Sequence, residues 1–448
     1  ENGQINANVL LKFLLSKAQN NTIAIKNYLS KTAGLINQDS EASFKFAHKS
    51  FRSYLAASYI CHHNNAVELL LKELDKSIII GGINETLTLA VEILLDDDSQ
   101  WYTLELFVLQ SLEEYGAYDL CIWFIGKLVS SGDGKFYKER IIKNKYITTK
   151  LLDKLGSVFH ESNQISINKR IECGYFLGLL GDKRDGIGNK DNIPNIVWCP
   201  VNECELEFGL AKSAYDMVVK TPWGADIDFS RELTKNGETI KMNIDEFEIS
   251  KYPITVAQFT TFLQDSDGYK NKRWYTWSGA SLDYYNNVVT NLSPKGNAVD
   301  YYYGFYLPVS FRILNLPITH VSFFVAVAFC KWLTMKLNDG TVVRLPTEME
   351  WEAAAKTRGG NVYEWGDAGV NADWQDQYVT NNCNCLGTKL FRVCPVGSFH
   401  DSKDKIPVDL TGNVWEWTAS YFTDTLGIAS VNTAINTIDN DQLTTDNA

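Results

Sequence analysis

The stretch Arg344-Leu-Pro-Thr-Glu-Met-Glu-Trp-Glu-Ala-Ala-Ala355 is the first of three signatures in the second half of the chain. Tyr363-Glu-Trp-Gly366 is the second, and Gly412-Asn-Val-Trp-Glu-Trp417 is the third. Three motifs rich in aromatic and glycine residues, in fixed order and close together, are too specific to arise from composition. They decide the fold of this half and locate its candidate site.

Further patterns lie upstream of these motifs. Glu246–Thr255 alternates like a strand and ends in a Pro-Ile-Thr turn, and Ala257–Leu263 follows as a predicted helix. A second helix is predicted for Phe324–Leu337, which contains the sequence Phe329-Cys-Lys-Trp332. Together with the three motifs, these segments resemble the formylglycine-generating enzyme (sulfatase-modifying factor) family, whose fold is a variant of the C-type lectin fold. The resemblance covers roughly residues 196–424.

The first half of the chain has a helical pattern. Apolar residues recur at steps of three and four in Val9–Leu14, Leu87–Leu95, Leu104–Leu112 and Leu151–Phe159. Polar joints separate these segments without a fixed repeat period, which predicts an irregular solenoid or bundle. One helical face collects apolar residues that periodicity assigns to the core: Phe44, Ala47, His48, Phe51, Tyr54, Leu55 and Tyr59.

Two segments of this half resemble the helical region that follows the ATPase core in NACHT-type STAND proteins. The first is Phe46-Ala-His-Lys-Ser-Phe-Arg-Ser-Tyr-Leu-Ala-Ala57, with Ser53 where that family has Glu and with His48 as a packing residue. The second runs from Arg170 to Gly186 and contains Gly181-Asp-Lys-Arg184, where Gly181 and Gly186 suit a helix stop and a turn. The resemblance implies a nucleotide-binding core upstream of Glu1.

The expected architecture is therefore α followed by α+β: an N-terminal helical solenoid or bundle, then a loop-rich, C-type-lectin-like formylglycine-generating-enzyme fold. We expect a helical, STAND-associated region at 1–190, the formylglycine-generating-enzyme-like domain at 195–424, and a polar tail at 425–448. Ten of the 12 tryptophans lie beyond residue 196, which marks the change in composition.

Charge and composition exclude several classes of partner. The net charge of -12 opposes binding of nucleic acid, because phosphate contacts depend on clustered Lys and Arg. The longest apolar run, Val321–Trp332, is too short to span a bilayer, so we predict no membrane contact. Nine scattered cysteines without regular spacing suit a reducing compartment. We expect a cytoplasmic protein, and a start at Glu1 suggests an internal piece of a longer chain.

Catalytic and cofactor-binding residues are not predicted. In the enzymes of the family, the redox-active cysteine pair lies well downstream of the Gly-Asn-Val-Trp-Glu-Trp motif, and here no cysteine follows Cys394. Cys199 and Cys204 are interpreted as ordinary small apolar residues. The set Cys383, Cys385 and Cys394 lacks the spacing and the fourth ligand of structural zinc, so buried or loop thiols are the preferred interpretation.

Calcium is the ion that the family resemblance implies, at a structural site formed by Asp409, Gly412, Val414 and Glu416. Two carboxylates, two backbone carbonyls and water would supply the oxygen ligands that Ca²⁺ prefers. The alternative is that Asp409 and Glu416 only accept hydrogen bonds from backbone amides. A second family site would use Asn382 and the Cys383 carbonyl, and its acidic residue is missing here.

The acidic residues of the first motif have a structural interpretation. Thr347 is predicted to cap a helix, with Glu350 as its capping-box partner at the third position. Arg344 is expected to bind a carboxylate nearby. His320 and His400 have no Ser or Cys at a recognisable spacing, so a hydrolytic triad is not predicted.

The leading functional hypothesis is a sensor and relay part of a prokaryotic STAND NTPase, with a non-catalytic domain that recognises a protein or small ligand. Its partners would be that ligand, the upstream ATPase domain of the same polypeptide, and further copies of itself on activation. A role in defence, or as a variable protein diversified by a retroelement, belongs to the same hypothesis. The alternative is an enzyme: a copper-dependent formylglycine-generating oxidase or a non-haem-iron sulfoxide synthase.

Overall fold

The computed structural model describes residues 4–6, 36–40, 43–46, 48–115, 145–160, 165–208, 240–290, 301–302, 305–306, 313–356, 363–365, 377–399 and 405–420. The chain divides into two compact units, residues 1–120 and 121–448. The helices expected around Val9–Leu14 and the polar tail lie outside the described residues. The domain limits expected at 190, 195 and 424 stay predictions.

The first unit combines a small sheet with helices. Its antiparallel sheet has the order β1-β3-β2, with β1 at Gln4–Asn6, β2 at Ile36–Ser40 and β3 at Ser43–Phe46. The helices follow in sequence as α1 (Lys49–Cys61), α2 (Ala66–Ile79), α3 (Glu85–Asp96) and α4 (Trp101–Tyr115). The last two confirm the periodicity seen in the sequence.

Helix α3 is the centre of this unit. Asn84 caps its first turn by accepting a hydrogen bond from the Leu87 amide at 2.8 Å. Leu87, Val91 and Leu94 recur at helical spacing and are fully buried. Glu85 ties the start of α3 to α1, because its carboxylate accepts hydrogen bonds from the hydroxyls of Ser50 and Ser53 at 2.8 and 2.9 Å.

The apolar stripe predicted for the core on α1 is wrong. Phe51, Tyr54, Leu55 and Tyr59 are all exposed, by 45% to 53%, and Phe44 lies in β3 instead of a helix. The packed face of α1 is the one with small residues, among them Ser53 and Ala57, because small side chains allow a close approach to α3.

His48 also differs from its expected packing role. It is exposed and caps α1, with its Nδ1 accepting from the Ser50 amide at 3.2 Å.

The second unit contains the remaining elements. Its helices are α5 (Lys145–Ser157), α6 (Ile167–Leu180), α7 (Val256–Gln264), α8 (Gly279–Tyr284), α9 (Phe323–Leu337), α10 (Glu348–Ala355) and α11 (Gln377–Asn382). Its strands are β4 (Asn189–Lys190), β5 (Ile193–Pro194), β6 (Trp198–Val201), β7 (Cys204–Phe208), β8 (Ile240–Ile244), β9 (Phe247–Ser250), β10 (Tyr301–Tyr302) and β11 (Phe305–Tyr306).

The strands are short and pair only two by two. β6 pairs antiparallel with β9, and β7 pairs antiparallel with β8, so Trp198 faces Ser250 across one ladder. β4 with β5 and β10 with β11 form two further antiparallel pairs. In the part of this unit that the structure describes, loops and aromatic packing therefore hold much of the fold together, as its composition predicts.

An aromatic core joins α7 to α9. Phe262 lies 5.7 Å from Phe329 and 5.2 Å from Trp332, measured between ring centres, and all three rings are buried. Such offset and edge contacts add to the stabilisation that burial provides. Trp332 also donates from Nε1 to Asp265 at 3.0 Å, which satisfies its polar atom inside the core.

Local signals fix the helix ends as the sequence predicts. Thr347 and Glu350 form the predicted capping box of α10, and Arg344 binds Glu350 with both terminal nitrogens, at 2.6 and 2.7 Å. Thr255 and Gln258 form a second capping box on α7. None of the described helices is both long and apolar enough to cross a membrane.

Helix α6 is built into the second unit through two glycines. A Cβ on Gly174 would lie 2.8 Å from the Pro395 Cβ, and a Cβ on Gly178 would clash with Asn315 and Ile313. The Arg170 guanidinium donates to the Ser398 carbonyl at 3.1 Å. Gly181 ends the helix with a φ of 116°, which confirms its predicted role as a stop.

Candidate functional site

A groove with a volume of about 600 Å³ opens on the second unit. Its lining includes Trp198 of β6 and Phe247 of β9, and also the chain at Val342–Pro346 and at Val414–Trp417. We call this feature the aromatic groove. The third sequence motif therefore lines a cavity, together with Arg344–Pro346 and Glu350 of the first motif.

Two tryptophans of this motif face solvent. Trp415 is fully exposed and Trp417 is 52% exposed. Trp417 is held in place, because its Nε1 donates to the Val321 carbonyl at 2.8 Å and its ring meets Phe323 edge to face. Large apolar side chains gathered at an open cavity mark a binding surface more often than a structural one.

Packing explains why the third motif starts with Gly412 and Asn413. Gly412 has a φ of 79°, and a Cβ there would lie 2.5 Å from the Asn384 carbonyl oxygen. The Asn413 amide donates to that same oxygen at 2.9 Å. The Asn413 side chain holds Cys394 by accepting from its amide at 2.8 Å and donating to its carbonyl at 3.1 Å. The motif is thus pinned between two other loops.

The structure brings some of the residues predicted to bind calcium near one another. Asp409 is buried, and its Oδ2 accepts from the Gly397 amide at 2.6 Å. The Gly412 carbonyl accepts from the Val414 amide at 2.8 Å. Val414 and Glu416 both line the groove. Among the described residues, no three or more His, Cys, Asp or Glu side chains are arranged as a metal-binding group.

Glu416 has an unusual electrostatic environment. The residue as a whole is exposed, whereas its carboxyl lies where burial raises the pKa to about 7. The Trp351 side chain opposes the rise, and the negative charges of Asp409 and Glu364 increase it. These carboxyl groups repel one another, so a cation or a proton placed among them would be stabilised.

Glu364 is the member of this cluster that sequence reasoning missed. It lies in the second motif, is buried, and accepts from the Leu410 amide at 2.7 Å. The motif was recognisable, but only the tertiary structure brings Glu364 beside a residue 46 positions later.

Tyr252 connects the groove to the segment that follows α6. It lines the groove, is buried, and lies against Gly397, where a Cβ would approach its Cε1 to 2.8 Å. Arg184 also lies against Gly397, with its Nη1 at 3.4 Å from the position of such a Cβ, and it donates to the Val396 carbonyl at 3.1 Å. Burial raises the pKa of Tyr252 to about 12, so it remains a neutral packing residue.

Arg184 belongs to a buried polar cluster. Its guanidinium binds Asp182 at 2.7 Å and stacks over the Phe159 ring at 3.7 Å. Asp182 also accepts from the Asn315 side chain at 2.8 Å, and Asn315 donates to the Gly174 carbonyl at 2.8 Å. The segment with the Gly-Asp-x-Arg pattern therefore joins α5, α6 and the loop before Pro317.

The eight cysteines that the structure describes all carry free thiols. Burial raises the pKa of Cys199 to about 11 and those of Cys330 and Cys394 to about 12. Such thiols are poor nucleophiles at neutral pH, in agreement with the interpretation of Cys199 as an apolar residue.

Comparisons with known proteins agree with the motifs. Residues 218–438 match the sulfatase-modifying factor enzyme 1-like domain. Hercynine oxygenase of Mycolicibacterium thermoresistibile is 29% identical over 188 residues, which cover 40% of this chain and 36% of that protein. The inactive C-alpha-formylglycine-generating enzyme 2 of Bos taurus is 29% identical over 206 residues, which cover 42% of this chain and 64% of the relative.

The formylglycine-generating enzyme of Mycobacterium tuberculosis is 34% identical over 112 residues, which cover 24% of this chain and 34% of that enzyme. The chain thus carries a formylglycine-generating-enzyme-like domain. In each of these alignments it spans less than two thirds of the relative's length.

Proposed function

We propose that this chain is the ligand-recognition and signal-relay part of a prokaryotic STAND NTPase, and that its formylglycine-generating-enzyme-like domain binds a protein or small ligand without catalysis. The domain would have the C-type lectin type of fold. The observation that carries the proposal is the aromatic groove, with Trp415 and Trp417 facing solvent and Tyr252 buried in its lining.

The groove suits binding. Its volume lies within the range of about 300–1,000 Å³ that is usual for ligand sites, and its lining is aromatic and aliphatic with a few charged groups. Tryptophan is enriched among the residues that contribute most to binding, because a large rigid ring gains contact area with little loss of entropy. Glu416 and Arg344 would provide orientation at the rim.

Two observations support a role without catalysis. Relatives of this chain in Bos taurus and Mus musculus are named inactive C-alpha-formylglycine-generating enzyme 2. Within the described residues of the groove, the cysteine on its lining is Cys330, whose thiol is buried and protonated at neutral pH. On this proposal the groove holds a ligand and uses no thiolate nucleophile.

The relay part of the proposal rests on α6. Its glycine face and its hydrogen bonds to the loops at Asn315 and Ser398 fix it to the domain that carries the groove. We infer that the upstream ATPase of the same polypeptide responds to the ligand by forming a homo-oligomer in the cytoplasm. Defence, or diversification by a retroelement, would give such a sensor its biological setting.

Structural Ca²⁺ is part of the proposal, held by Asp409 and Glu416 with the carbonyls of Gly412 and Val414. The donor set fits a hard cation, because it consists of oxygen atoms and the carboxyl groups there already repel one another. When bound, the ion would neutralise this cluster and fix the loops that the motif joins. Nucleic acid and membrane are not proposed as partners.

The binding proposal is tested with the full chain and arrays of peptides and small metabolites, read by tryptophan emission. We expect hits whose affinity falls at least tenfold, about 1.4 kcal/mol, in Trp415→Ala. Phe391→Ala is the matched control, since Phe391 is an aromatic residue that is 81% exposed outside the groove. A ligand that binds the Trp415→Ala variant as tightly as the parent would refute the proposal that ligands bind in the groove.

The STAND part has a separate test. Peptide mapping of the natural polypeptide reads what precedes Glu1, and a phosphate loop there would support the relay. Its absence would remove the ATPase from the proposal and leave ligand binding standing.

The second candidate function is an enzyme, either a copper-dependent formylglycine-generating oxidase or a non-haem-iron sulfoxide synthase. The similarity to proteins named formylglycine-generating enzyme and hercynine oxygenase favours it. Incubation with a cysteine peptide and Cu(I), or with a thiol, a histidine derivative and Fe(II), should give no product. Turnover in either assay, lost with Trp415→Ala, would establish the enzyme instead.

A further inference from the structure

The first unit exposes a stripe of large apolar side chains on α1. The stripe has four members, each between 45% and 53% exposed: Phe51, Tyr54, Leu55 and Tyr59. Their spacing of three and four residues places them on one side of the helix, opposite the small buried residues that pack on α3. A contiguous apolar face of this kind on a folded protein marks a site of interaction. We call it the α1 face.

The α1 face is nearly symmetrical about its middle residue. At about 3.6 residues per turn, Phe51 and Tyr59 lie one turn before and one turn after Leu55, about 40° to either side of it. A histidine ring closes each end, with ring centres 6.2 Å apart for His48 and Phe51 and 5.2 Å apart for Tyr59 and His63. Such a face presents similar groups to a second copy related by a two-fold rotation, as an isologous contact requires.

The charges on α1 favour one direction of packing. The helix contains Lys49 and Arg52 near its start and neither Asp nor Glu. A parallel pair of α1 helices would bring both copies of these cations together at one end. In an antiparallel pair centred on Leu55, the two Arg52 residues are about 9 Å apart along the axis, and the two Lys49 residues about 18 Å, which exceeds the screening length at physiological ionic strength. Each Arg52 then lies almost level with the partner's Tyr59, where a cation and an aromatic ring attract each other.

We propose that two copies of this chain associate through their α1 faces, with the two helices antiparallel and a two-fold axis at Leu55. Leu55 packs against the partner's Leu55, and Phe51 of each copy lies level with the partner's Tyr59. The contact uses neither the aromatic groove nor an ATPase. It can therefore fail while ligand binding in the groove stands.

The area of the α1 face determines how strong this contact is. An aromatic side chain offers about 150–250 Å², so four side chains that are about half exposed offer roughly 400 Å² per copy and roughly 800 Å² in the pair. Stable complexes bury about 1,200–2,000 Å², and complexes below that range are transient. We therefore expect a weak dimer, half formed at a chain concentration on the order of 100 µM.

The first measurement is sedimentation equilibrium of the full chain, at concentrations from about one tenth to about five times that value. We expect the average mass to rise from that of one chain towards that of two as the concentration increases. The mass of a single chain throughout the series would leave the α1 face to a different partner and overturn the proposal.

Two variants at the axis identify the surface. Leu55→Lys and Leu55→Glu each place equal charges opposite one another, so each alone should associate roughly tenfold or more weakly than the parent. An equal mixture of the two should recover the association, because opposite charges then meet at the axis. Only a position that faces its own copy gives this result. A mixture no better associated than the single variants, or single variants that dimerise like the parent, would contradict the proposed axis.

The same two changes at Tyr102 are the matched control. Tyr102 lies on α4 and is 68% exposed, so Tyr102→Lys and Tyr102→Glu should dimerise as the parent does. Lys and Glu both suit a helix, and Leu55 is half exposed, so we expect the variants at Leu55 to fold. Circular dichroism checks this, and the concentration series of the parent decides the matter should one of them not fold.

Discussion

Removal of the Asp182 charge should destabilise the second unit strongly. In Asp182→Asn, Arg184 keeps a side chain that is only 7% exposed and loses the carboxylate that it contacts with Nε and Nη2, at 3.1 and 2.7 Å. Breaking one partner of a buried ion pair typically costs about 3–5 kcal/mol, because the remaining charge is left in a medium of low polarity. For a unit of this size, Cys121–Ala448, we expect the melting temperature to fall by roughly 4–7 °C.

The measurement is urea unfolding followed by tryptophan emission, with Asp185→Asn as the control. Asp185 is an exposed acidic residue three positions further on, so the same change there should alter the free energy of unfolding by less than about 0.5 kcal/mol. A double-mutant cycle with Arg184→Met should give a coupling energy above about 2 kcal/mol. Additive single effects would refute the assignment of Asp182 and Arg184 as one buried unit.

The pH dependence gives a second check on the same pair. Although burial alone would raise it, the charge and hydrogen bonds of Arg184 lower the pKa of Asp182 below its usual value. A depressed carboxyl pKa stabilises the folded state above the unfolded value of about 3.9, and this stabilisation is lost as the pH falls through the folded value. The difference between the parent and Asp182→Asn should therefore be constant from about pH 6 to 8 and shrink only in acid.

Four further outcomes follow from the packing and charges of the site. Gly178→Ala should cost about 1–3 kcal/mol by overpacking against Asn315, and urea unfolding of the variant measures it. Gly412→Ala should cost at least about 2 kcal/mol, since φ is 79° and Asn384 leaves no room, and should weaken groove ligands as well. Without Ca²⁺, the raised pKa of Glu416 means that stability should fall as the pH rises from about 4.3 to 7, and Glu416→Gln should flatten that slope. Added Ca²⁺ should raise the melting temperature at pH 7.5 in the parent and not in Asp409→Asn. An equal shift in both proteins would refute the calcium site at Asp409.

The sequence predicts best what a few neighbouring residues determine. The capping box of Thr347 and Glu350 depends on residues three positions apart, and Arg344 lies only six positions from its carboxylate. Gly181 as a helix stop is equally local. Such features follow from backbone geometry whatever the rest of the fold does.

Interactions between distant segments escape the same reasoning. The apolar stripe on α1 was assigned to the core because periodicity shows that a helix has two faces and not which of them a neighbour covers. Ser53 and Ala57 lie on the buried face instead, since small residues let α1 approach α3 closely. Glu364 was missed for a related reason, because its partner Leu410 is brought to it only by the fold.

The bonds around α6 limit how a ligand could act on the rest of the chain. A ligand that moved Tyr252 would press on the loop at Gly397, which Arg184 holds through the Val396 carbonyl and Arg170 through the Ser398 carbonyl. Leaving either guanidinium buried without its acceptor would cost about 1–3 kcal/mol. Movement of the loop together with α6 and the segment up to Arg184 breaks neither bond. If the groove relays ligand binding as we propose, rigid-body displacement of α6 would therefore cost less than local loosening, and amide hydrogen exchange in α6 should stay unchanged when the groove is filled.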